Sequence, residues 1–222
     1  MILHAAYRIA WKDVVGDFRR RSTLSSMLFF AIAALVVFQA AFEPDRKEAV
    51  KLLPGLIWVT VLFTSLVGLG RVFQAEEEDG AFEGLLLAPI PREAVFLGKW
   101  WGNLSLTALV ELMLLPVMLV LFNVDAWAVL PAMFGVLLLG TLGFTALGVL
   151  LAALTQGARG RETLLALLLL PLAVPLLIAG VQATAALLGT GGEIAPWVRL
   201  ILIFDVVYLS LAPWAFGWLV EE

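Results

Sequence analysis

The chain has 222 residues, of which 62% are apolar and only 14% are charged. Soluble domains are about half apolar and about a quarter charged, so this composition argues against an ordinary soluble enzyme and indicates a membrane protein. The formal net charge of −4 argues against a nucleic-acid partner, and the absence of cysteine excludes disulfides and thiolate metal sites.

Residues 1–21 are predicted to form an amphipathic helix that lies at the membrane interface. Apolar side chains recur at helical spacing from Leu3 to Phe18, and charged residues such as Arg8 and Lys12 lie between them. A short segment with this many charges cannot span a bilayer, so we expect it to lie in the headgroup plane. The same charges argue against a secretory signal peptide over these residues.

Six charge-poor segments follow, and each is long enough to cross a hydrocarbon core of about 30 Å as a helix. They comprise residues 24–42, 52–70, 95–122, 126–158, 163–192 and 196–220. The fifth contains Pro171 and Pro175, which should kink or break it unless neighbouring groups satisfy the carbonyls that lose their donors. The whole chain, 1–222, is therefore predicted to be a single all-α transmembrane domain.

Basic residues predict the orientation of these spans. With the N-terminus inside, ten of the 14 Lys and Arg residues fall on cytoplasmic segments: Arg8, Lys12, Arg19, Arg20, Arg21, Arg71, Arg92, Lys99, Arg159 and Arg161. The outer segments hold Arg46, Lys47, Lys51 and Arg199. Tryptophans near span ends are expected to be interfacial: Trp100, Trp101, Trp127, Trp197, Trp214 and Trp218. We therefore expect both termini to lie in the cytoplasm.

Residues 71–94 form the longest predicted connection, on the cytoplasmic side. Its second half is apolar and ends in Pro89 and Pro91, which stop a helix. Its first half is acidic, with Glu76, Glu77, Glu78, Asp79 and Glu83. A short helix that presents these carboxylates with Phe82 would suit docking into a groove of a cytoplasmic partner. The alternative is a solvated acidic loop without a partner, although topology does not require acidic residues there.

Three charged residues lie within or near predicted spans. Lys99 is close to the cytoplasmic end of the third span, so we expect it to snorkel to the headgroups. Glu111 and Asp205 lie deeper, where a lone ionised carboxylate costs at least about 2.5 kcal/mol. Both are candidates for a substrate path or for polar helix packing, and packing is the favoured interpretation for Asp205.

Glycines in the third and fourth spans are predicted to be positions of close helix packing. Gly98 and Gly102 have the Gly-x-x-x-Gly spacing that lets two helix backbones approach each other. The fourth span adds Gly135, Gly140, Gly143 and Gly148.

We expect neither a catalytic site nor a metal site in this chain. Gly98 and Lys99 are followed by Trp100 and lack the upstream glycine of a phosphate-binding loop, so a separate subunit must hydrolyse any ATP. His4 is the one candidate axial ligand for a haem iron, and its predicted cytoplasmic position argues against an external haem site.

Over most of its length the sequence resembles the membrane permease of the cytochrome c maturation system, the haem exporter protein B family. The matching residues, in chain order, are Pro54-Gly55 with Trp58, Arg71-Val72-Phe73, Asp79-Gly80 with Glu83 and Leu85, Pro89 with Pro91, Lys99, and Leu170-Pro171 with Pro175-Leu176-Leu177-Ile178. The block in the acidic loop is quite specific, and the chain length and the six spans also fit.

This resemblance implies the permease fold of type-2 ABC exporters (ABC-2). It implies that the N-terminal amphipathic helix and the loop after the second span form the contact surface for a separate cytoplasmic ATP-binding subunit (CcmA-like). It implies that Asp79, Gly80, Phe82 and Glu83 belong to the coupling helix. It also implies a haem-handling membrane partner (CcmC-like) and a place in the bacterial inner membrane. ATP hydrolysis on the partner subunit would then drive haem delivery or export, or release of a haem-loaded chaperone.

Other functions stay open at this point. An ABC-2 permease that exports a lipid, a drug or a glycan would share the fold and the coupling loop. A proton-linked secondary transporter would use Glu111 and Asp205, although it should show inverted repeats, and we find none. A scaffold would only assemble other subunits. Whether haem itself crosses the membrane, and whether two copies pair or one copy pairs with another membrane subunit, also stays open.

Overall fold

The computed structural model describes residues 2–20, 23–42, 44–74 and 90–219. In these residues the long helices are α1 (Ile2–Arg20), α2 (Thr23–Phe42), α3 (Arg46–Leu69), α4 (Arg92–Leu121), α5 (Leu130–Leu154), α6 (Arg161–Leu187) and α7 (Ala195–Leu219). A 3-10 turn, Trp127–Val129, precedes α5. Helices α2 to α7 are long and apolar enough to cross a membrane, which confirms the six predicted spans in the described part of the chain.

The second span begins earlier than predicted because a side chain caps it. The carboxylate of Asp45 accepts hydrogen bonds from the backbone N–H groups of Lys47 at 2.9 Å and Glu48 at 2.8 Å. These bonds satisfy two of the donors that a helix N-terminus leaves unpaired. Helix α3 therefore starts at Arg46, within the stretch that the charge pattern assigned to a connection.

The fourth span, predicted over 126–158, is shorter at both ends. A 3-10 turn precedes it, and Pro131 lies in the first turn of α5, where a missing N–H costs nothing. Beyond the last turn, Gly157 and Gly160 have φ values of 76° and 74°, which glycine adopts without steric cost. Helix α5 thus ends at Leu154, before the charge-free run reaches its end at residue 158.

The prolines of the fifth span do not break it. Helix α6 runs without interruption from Arg161 to Leu187 and includes Pro171 and Pro175. The hydroxyl of Tyr208 on α7 donates a hydrogen bond to the carbonyl of Leu172 at 3.0 Å, beside the carbonyls that the prolines leave without a donor. The carbonyls that lose their donors are those of Leu167 and Pro171. The Tyr208 bond does not replace those donors, but it joins α7 to the proline-containing part of α6.

Helix α5 is at the centre of the bundle and packs on α3, α4, α6 and α7. The indole of Trp58 on α3 lies where a Cβ atom on Gly140 of α5 or on Gly180 of α6 would be. Its Nε1 also donates a hydrogen bond to the hydroxyl of Thr184 at 3.0 Å. Glycine on two helices therefore makes room for one large aromatic side chain from a third.

The predicted packing role of the α5 glycines holds for most of them. Gly143 lies against Asp205, and Gly148 lies against Leu69. Gly135 is the exception, because no atom lies within 4 Å of a Cβ added there. The presence of glycine in the span predicted close packing correctly at three of the four positions, but the packed neighbours depend on the fold.

Helices α1 and α2 are peripheral. Helix α1 lies along α4, and the carboxylate of Asp17 near its end accepts the backbone N–H groups of Thr23 and Leu24 at 2.9 Å each. This cap starts α2, which packs on α3 and α4. Helix α2 is mostly exposed, and its buried residues, one turn apart, are Met27, Ala31 and Leu35.

Candidate functional site

Most residues predicted to dock an ATP-binding subunit lie outside the described part of the chain. These are Glu76, Glu77, Glu78, Asp79, Gly80, Phe82, Glu83 and Pro89. Pro91 is described; it is exposed and directly precedes α4. The connection predicted over 71–94 therefore ends too late, since Arg92, Glu93 and Ala94 belong to the helix. Proline fixes φ and lacks an N–H, so it is well suited to the position directly before a helix.

The beginning of that connection is fixed to the bundle by Phe73. This side chain is buried, and its ring stacks on that of Phe216 from α7 with 6.5 Å between centroids. Phe96 of α4 contacts the same Phe216 ring at 5.7 Å. Burial of three aromatic rings holds the chain where it leaves α3. We call the end of the bundle that contains Phe73 and Pro91 the loop end.

Lys99 is buried at the loop end, so the prediction that it snorkels to the headgroups is wrong. Its side chain is 1% exposed, and its Nζ lies 3.0 Å from Oδ2 of Asp13 on α1. Nζ also donates a hydrogen bond to the carbonyl of Val72 at 3.0 Å and lies 5.5 Å from the centre of the Phe73 ring. The carboxylate, the carbonyl and the ring together compensate for the desolvation of the ammonium group.

Gly98 and Gly102 bring α1 close enough to α4 for that ion pair. A Cβ atom on Gly98 would lie 2.6 Å from Cβ of Ile9, and one on Gly102 would lie 3.4 Å from Cβ of Asp13. The Gly-x-x-x-Gly prediction of a packing position is therefore confirmed. The packed neighbour is the N-terminal helix, which the spacing alone does not reveal.

Glu111 and Asp205 are both buried, and both accept a hydrogen bond from α5. Glu111 accepts the hydroxyl of Thr141, and Asp205 accepts the backbone N–H of Gly143 at 3.0 Å. The second carboxyl oxygens, Oε2 of Glu111 and Oδ2 of Asp205, have no hydrogen-bond partner among the described residues. Each carboxyl group thus has one oxygen with a hydrogen-bond partner and one oxygen without.

The two carboxyl groups contact nearly opposite faces of α5. Thr141 and Gly143 differ by two positions, which separates their side-chain directions by about 200°. A Cβ atom on Gly143 would meet Asp205, whereas the Thr141 side chain points to Glu111. Helices α4 and α7 therefore hold α5 from two sides, and this geometry favours helix packing over a single path lined by both acids.

Lys99 and Glu111 belong to one buried polar stripe along α4 that we did not predict. Asn103 and Thr107 lie between them at four-residue intervals, and all four side chains are buried. The Thr107 hydroxyl donates a hydrogen bond to Oδ1 of Asn103 at 3.4 Å. The constant spacing of four was visible in the sequence, because positions i and i+4 share a helix face.

Trp100 is buried, so its prediction as an interfacial residue is wrong. Its Nε1 donates hydrogen bonds to the carbonyl of Leu142 at 3.2 Å and to the hydroxyl of Thr145 at 3.0 Å, both on α5. The neighbouring Trp101 is 50% exposed. Adjacent helical residues point about 100° apart, so only one indole of this pair can face the core.

His4, the candidate haem ligand, is exposed on α1. Over residues 2–20, 23–42, 44–74 and 90–219, no three His, Cys, Asp or Glu side chains lie close enough together to hold a metal ion. The described side chains thus give no ligand set from which a metal could be assigned.

Comparison with known families identifies the relationship that the motifs indicated. The family profile described as CcmB protein matches residues 4–221, nearly the whole chain. The chain belongs to the CcmB family. The match includes all six spans, the acidic segment and almost all of α1, so membership of the CcmB family is a property of the whole chain.

Individual relatives also align with this chain over most of its length. A protein named heme exporter protein B from Pseudomonas aeruginosa is 32% identical over 201 residues, which cover 89% of this chain and 88% of the relative. Its namesake from Paracoccus denitrificans is 34% identical over 194 residues, 86% of either chain. The one from Escherichia coli K12 is 36% identical over 182 residues, 82% of this chain and 80% of the relative. These matches confirm the resemblance to the haem exporter protein B family.

Proposed function

We propose that this chain is the membrane permease subunit of an ABC transporter complex for cytochrome c maturation in the bacterial inner membrane. A separate ATP-binding subunit (CcmA-like) hydrolyses ATP, and a second membrane protein (CcmC-like) handles haem. Together they deliver or export haem, or release a haem-loaded chaperone. The observation that carries the proposal is the family match over residues 4–221, with relatives named heme exporter protein B.

In this proposal the acidic segment between α3 and α4 is the contact for the ATP-binding subunit. Its coupling residues are Glu76, Glu77, Glu78, Asp79, Gly80, Phe82, Glu83, Pro89 and Pro91. Both flanks of the segment support this role, because Phe73 is buried against Phe216 and Pro91 leads directly into α4. A segment anchored at both flanks can pass a displacement on to the spans rather than absorb it.

Helix α1 is proposed to lie in the membrane interface on the cytoplasmic side, with both termini in the cytoplasm. Ala6 and Ala10 face the bundle, whereas Leu3, Tyr7 and Trp11 are at least 60% exposed along one stripe. Such a stripe of large apolar side chains suits insertion among acyl chains and headgroups. The distribution of the basic residues supports the same orientation.

Glu111 and Asp205 are proposed to act in helix packing. Each is buried within a span and fixes one face of the central helix α5 through Thr141 or Gly143. In an apolar surrounding, a hydrogen bond between helices replaces one that water would otherwise supply, and so it specifies how the helices pack.

Co-purification tests the ABC permease part of the proposal. The permease is co-expressed with a CcmA-like ATP-binding subunit, extracted in detergent and captured by a tag. The variant replaces five carboxylates with alanine: Glu76, Glu77, Glu78, Asp79 and Glu83. We expect the ATP-binding subunit to co-purify with the wild type and to be lost from the variant. An ATP-binding subunit that never associates with the wild type contradicts the proposal.

The matched control removes exposed carboxylates from the other end of the bundle. Glu48 in the first turn of α3 and Glu193 between α6 and α7 are both exposed, and the double Glu48→Ala, Glu193→Ala variant should retain the ATP-binding subunit. Membrane insertion of every variant is checked by protease protection of a terminal tag.

Complementation tests the cytochrome c part of the proposal separately. A strain that lacks this gene should lose covalent haem from its c-type cytochromes, as seen by haem staining of denaturing gels, and the wild-type gene should restore it. If the ATP-binding subunit associates but c-type cytochromes mature normally without this protein, then a lipid, a drug or a glycan is the better substrate class.

A further inference from the structure

Three separate parts of the chain meet at the Lys99 ammonium group. Asp13 belongs to α1, Lys99 to α4, and Val72 to the turn that follows α3. Nζ of Lys99 is 3.0 Å from Oδ2 of Asp13 and 3.0 Å from the carbonyl oxygen of Val72. One side chain therefore bonds simultaneously to the N-terminal helix and to the first residues of the α3–α4 connection.

The burial of this group makes the arrangement hard to deform. The Lys99 side chain is 1% exposed, whereas that of Asp13 is 20% exposed and also lies 3.3 Å from Lys12. Movement of α1 or of Val72 away from Lys99 would remove a partner from a charge that water does not reach. The cost of such a separation favours movement of all three parts together.

Packing around Lys99 restricts the same three parts. Gly98 and Gly102, on either side of Lys99 in α4, contact Ile9 and Asp13 of α1. Phe73, next to Val72, is buried with its ring centre 5.5 Å from the ammonium nitrogen and stacks on Phe216. Backbone contact with α1 and aromatic contact with α7 thus surround the ion pair, which is the point where α1 and the connection both join the spans.

We propose that Lys99 is a positioning residue that links α1 to the start of the acidic segment, so that the two move as one unit. The inference rests on the proposed function, in which an ATP-binding subunit docks on that segment. A displacement applied there reaches α1 through the Val72–Lys99–Asp13 bonds, and it reaches α4 at the same point. Helix α1 then moves together with Val72 and with α4, because one buried side chain bonds to both.

Distance measurement between two spin labels tests the link. Because the chain has no cysteine, labels at Arg8→Cys on the exposed side of α1 and at Gln74→Cys, two residues after Val72, are the only ones present. In the wild type we expect a narrow distance distribution that is the same with and without a non-hydrolysable ATP analogue on the partner subunit. In Lys99→Met we expect the width of the distribution to at least double.

A second variant keeps the test informative if Lys99→Met folds poorly. The double Asp13→Asn, Lys99→Met variant leaves neither charge of the ion pair, so its stability should stay near that of the wild type, since replacing both partners is often neutral. It should still show the broad label distribution. Lys51→Met, an exposed lysine on α3, is the matched control and should leave the distribution narrow.

The outcomes separate this inference from the proposed function. A narrow distribution in both Lys99 variants, or a wild-type distance that changes with nucleotide, overturns the link. If the ATP-binding subunit does not bind the wild type, the proposed function fails, and the label widths in the permease alone still decide whether Lys99 holds α1 to Val72. If the subunit binds the double variant, permease-dependent ATP turnover should fall several-fold while binding persists; unchanged turnover overturns the coupling role.

Discussion

Two regions of the bundle bury acidic or basic side chains, and they do so in different ways. At the loop end, Lys99 lies against an opposite charge, Asp13, and against the carbonyl of Val72. In the middle of the spans, Glu111 and Asp205 each accept one hydrogen bond from α5 and leave a second oxygen without a partner. The first region is an ion pair between helices, and the second is a pair of separate hydrogen bonds.

This difference determines what a substitution leaves behind. Removing one member of a buried ion pair leaves an uncompensated charge, which costs more than the net gain of the pair. Removing a carboxyl group that makes a single hydrogen bond leaves only one donor on α5 to find another partner. The loss of stability caused by a substitution at the loop end should therefore depend on which partner of the ion pair is removed. In the middle of the spans, the loss should depend on how well the new side chain fits the space.

The largest effect is expected for Asp13→Asn, which leaves the ammonium group of Lys99 buried without its carboxylate. We expect a loss of about 3 kcal/mol in the free energy of unfolding. Lys99→Met should cost less, about 1–2 kcal/mol, because Asp13 is partly exposed and keeps Lys12 as a neighbour at 3.3 Å. Titration with sodium dodecyl sulfate in mixed micelles, followed by far-UV circular dichroism, measures both. Equal losses of unfolding free energy in the two variants would contradict the interpretation that the buried Lys99 depends on its partner more than the partly exposed Asp13 does.

Gly143→Ala should have the next largest effect, about 2 kcal/mol of destabilisation, because the new methyl group would overlap the carboxyl group of Asp205. Gly135→Ala on the same helix is the matched control. No atom lies within 4 Å of its added Cβ, so this variant should be neutral or slightly more stable. The same detergent titration compares the two, and similar destabilisation of both would show that α5 is not held through Gly143.

Trp100→Phe tests the hydrogen bonds between α4 and α5 that lie between the two regions. The substitution removes the Nε1 donor to Leu142 and Thr145 and should cost about 1.5 kcal/mol. Trp101→Phe, at an exposed position, should change the stability by less than about 0.5 kcal/mol. Thermal unfolding in detergent, monitored by size-exclusion chromatography, ranks the pair, and the reverse ranking would contradict the assignment of Trp100 to the core.

Glu111→Gln should have the smallest effect on stability, below about 1 kcal/mol, because a glutamine oxygen can still accept the Thr141 hydroxyl. In the packing interpretation, c-type cytochromes should also mature normally, as measured by haem staining in the complemented strain. Normal stability combined with loss of maturation would instead assign Glu111 to a path for a substrate or a proton.

Much of the fold could be predicted because lipid imposes strong constraints on sequence. Six apolar runs predicted six helices, since a backbone in hydrocarbon must satisfy its own hydrogen bonds. The ends of the spans were less predictable, because Asp45 caps α3 within a charged stretch and Gly157 turns the chain within a charge-free one. Local capping chemistry decided those boundaries, and mean hydropathy does not register it.

The candidate site was predictable in composition but not in arrangement. Glu111 and Asp205 were identified by their positions inside spans, yet their separation onto two faces of α5 needed the packed structure. Lys99 was assigned to the headgroups because a lysine near a span end usually snorkels. Its actual partner, Asp13, lies more than eighty positions earlier in the chain, and no spacing rule connects residues so far apart.

The sequence by itself determined the all-helical membrane class, the number of spans, the acidic segment and the family resemblance. These depend on composition, on local periodicity and on short motifs, which do not require knowledge of distant contacts. Only the tertiary structure decided that α1 pairs with α4 through Gly98, Gly102 and Asp13, and that the ammonium group of Lys99 turns inward. The physical reason is that a buried charge takes the partner that packing brings to it, and packing depends on the whole bundle.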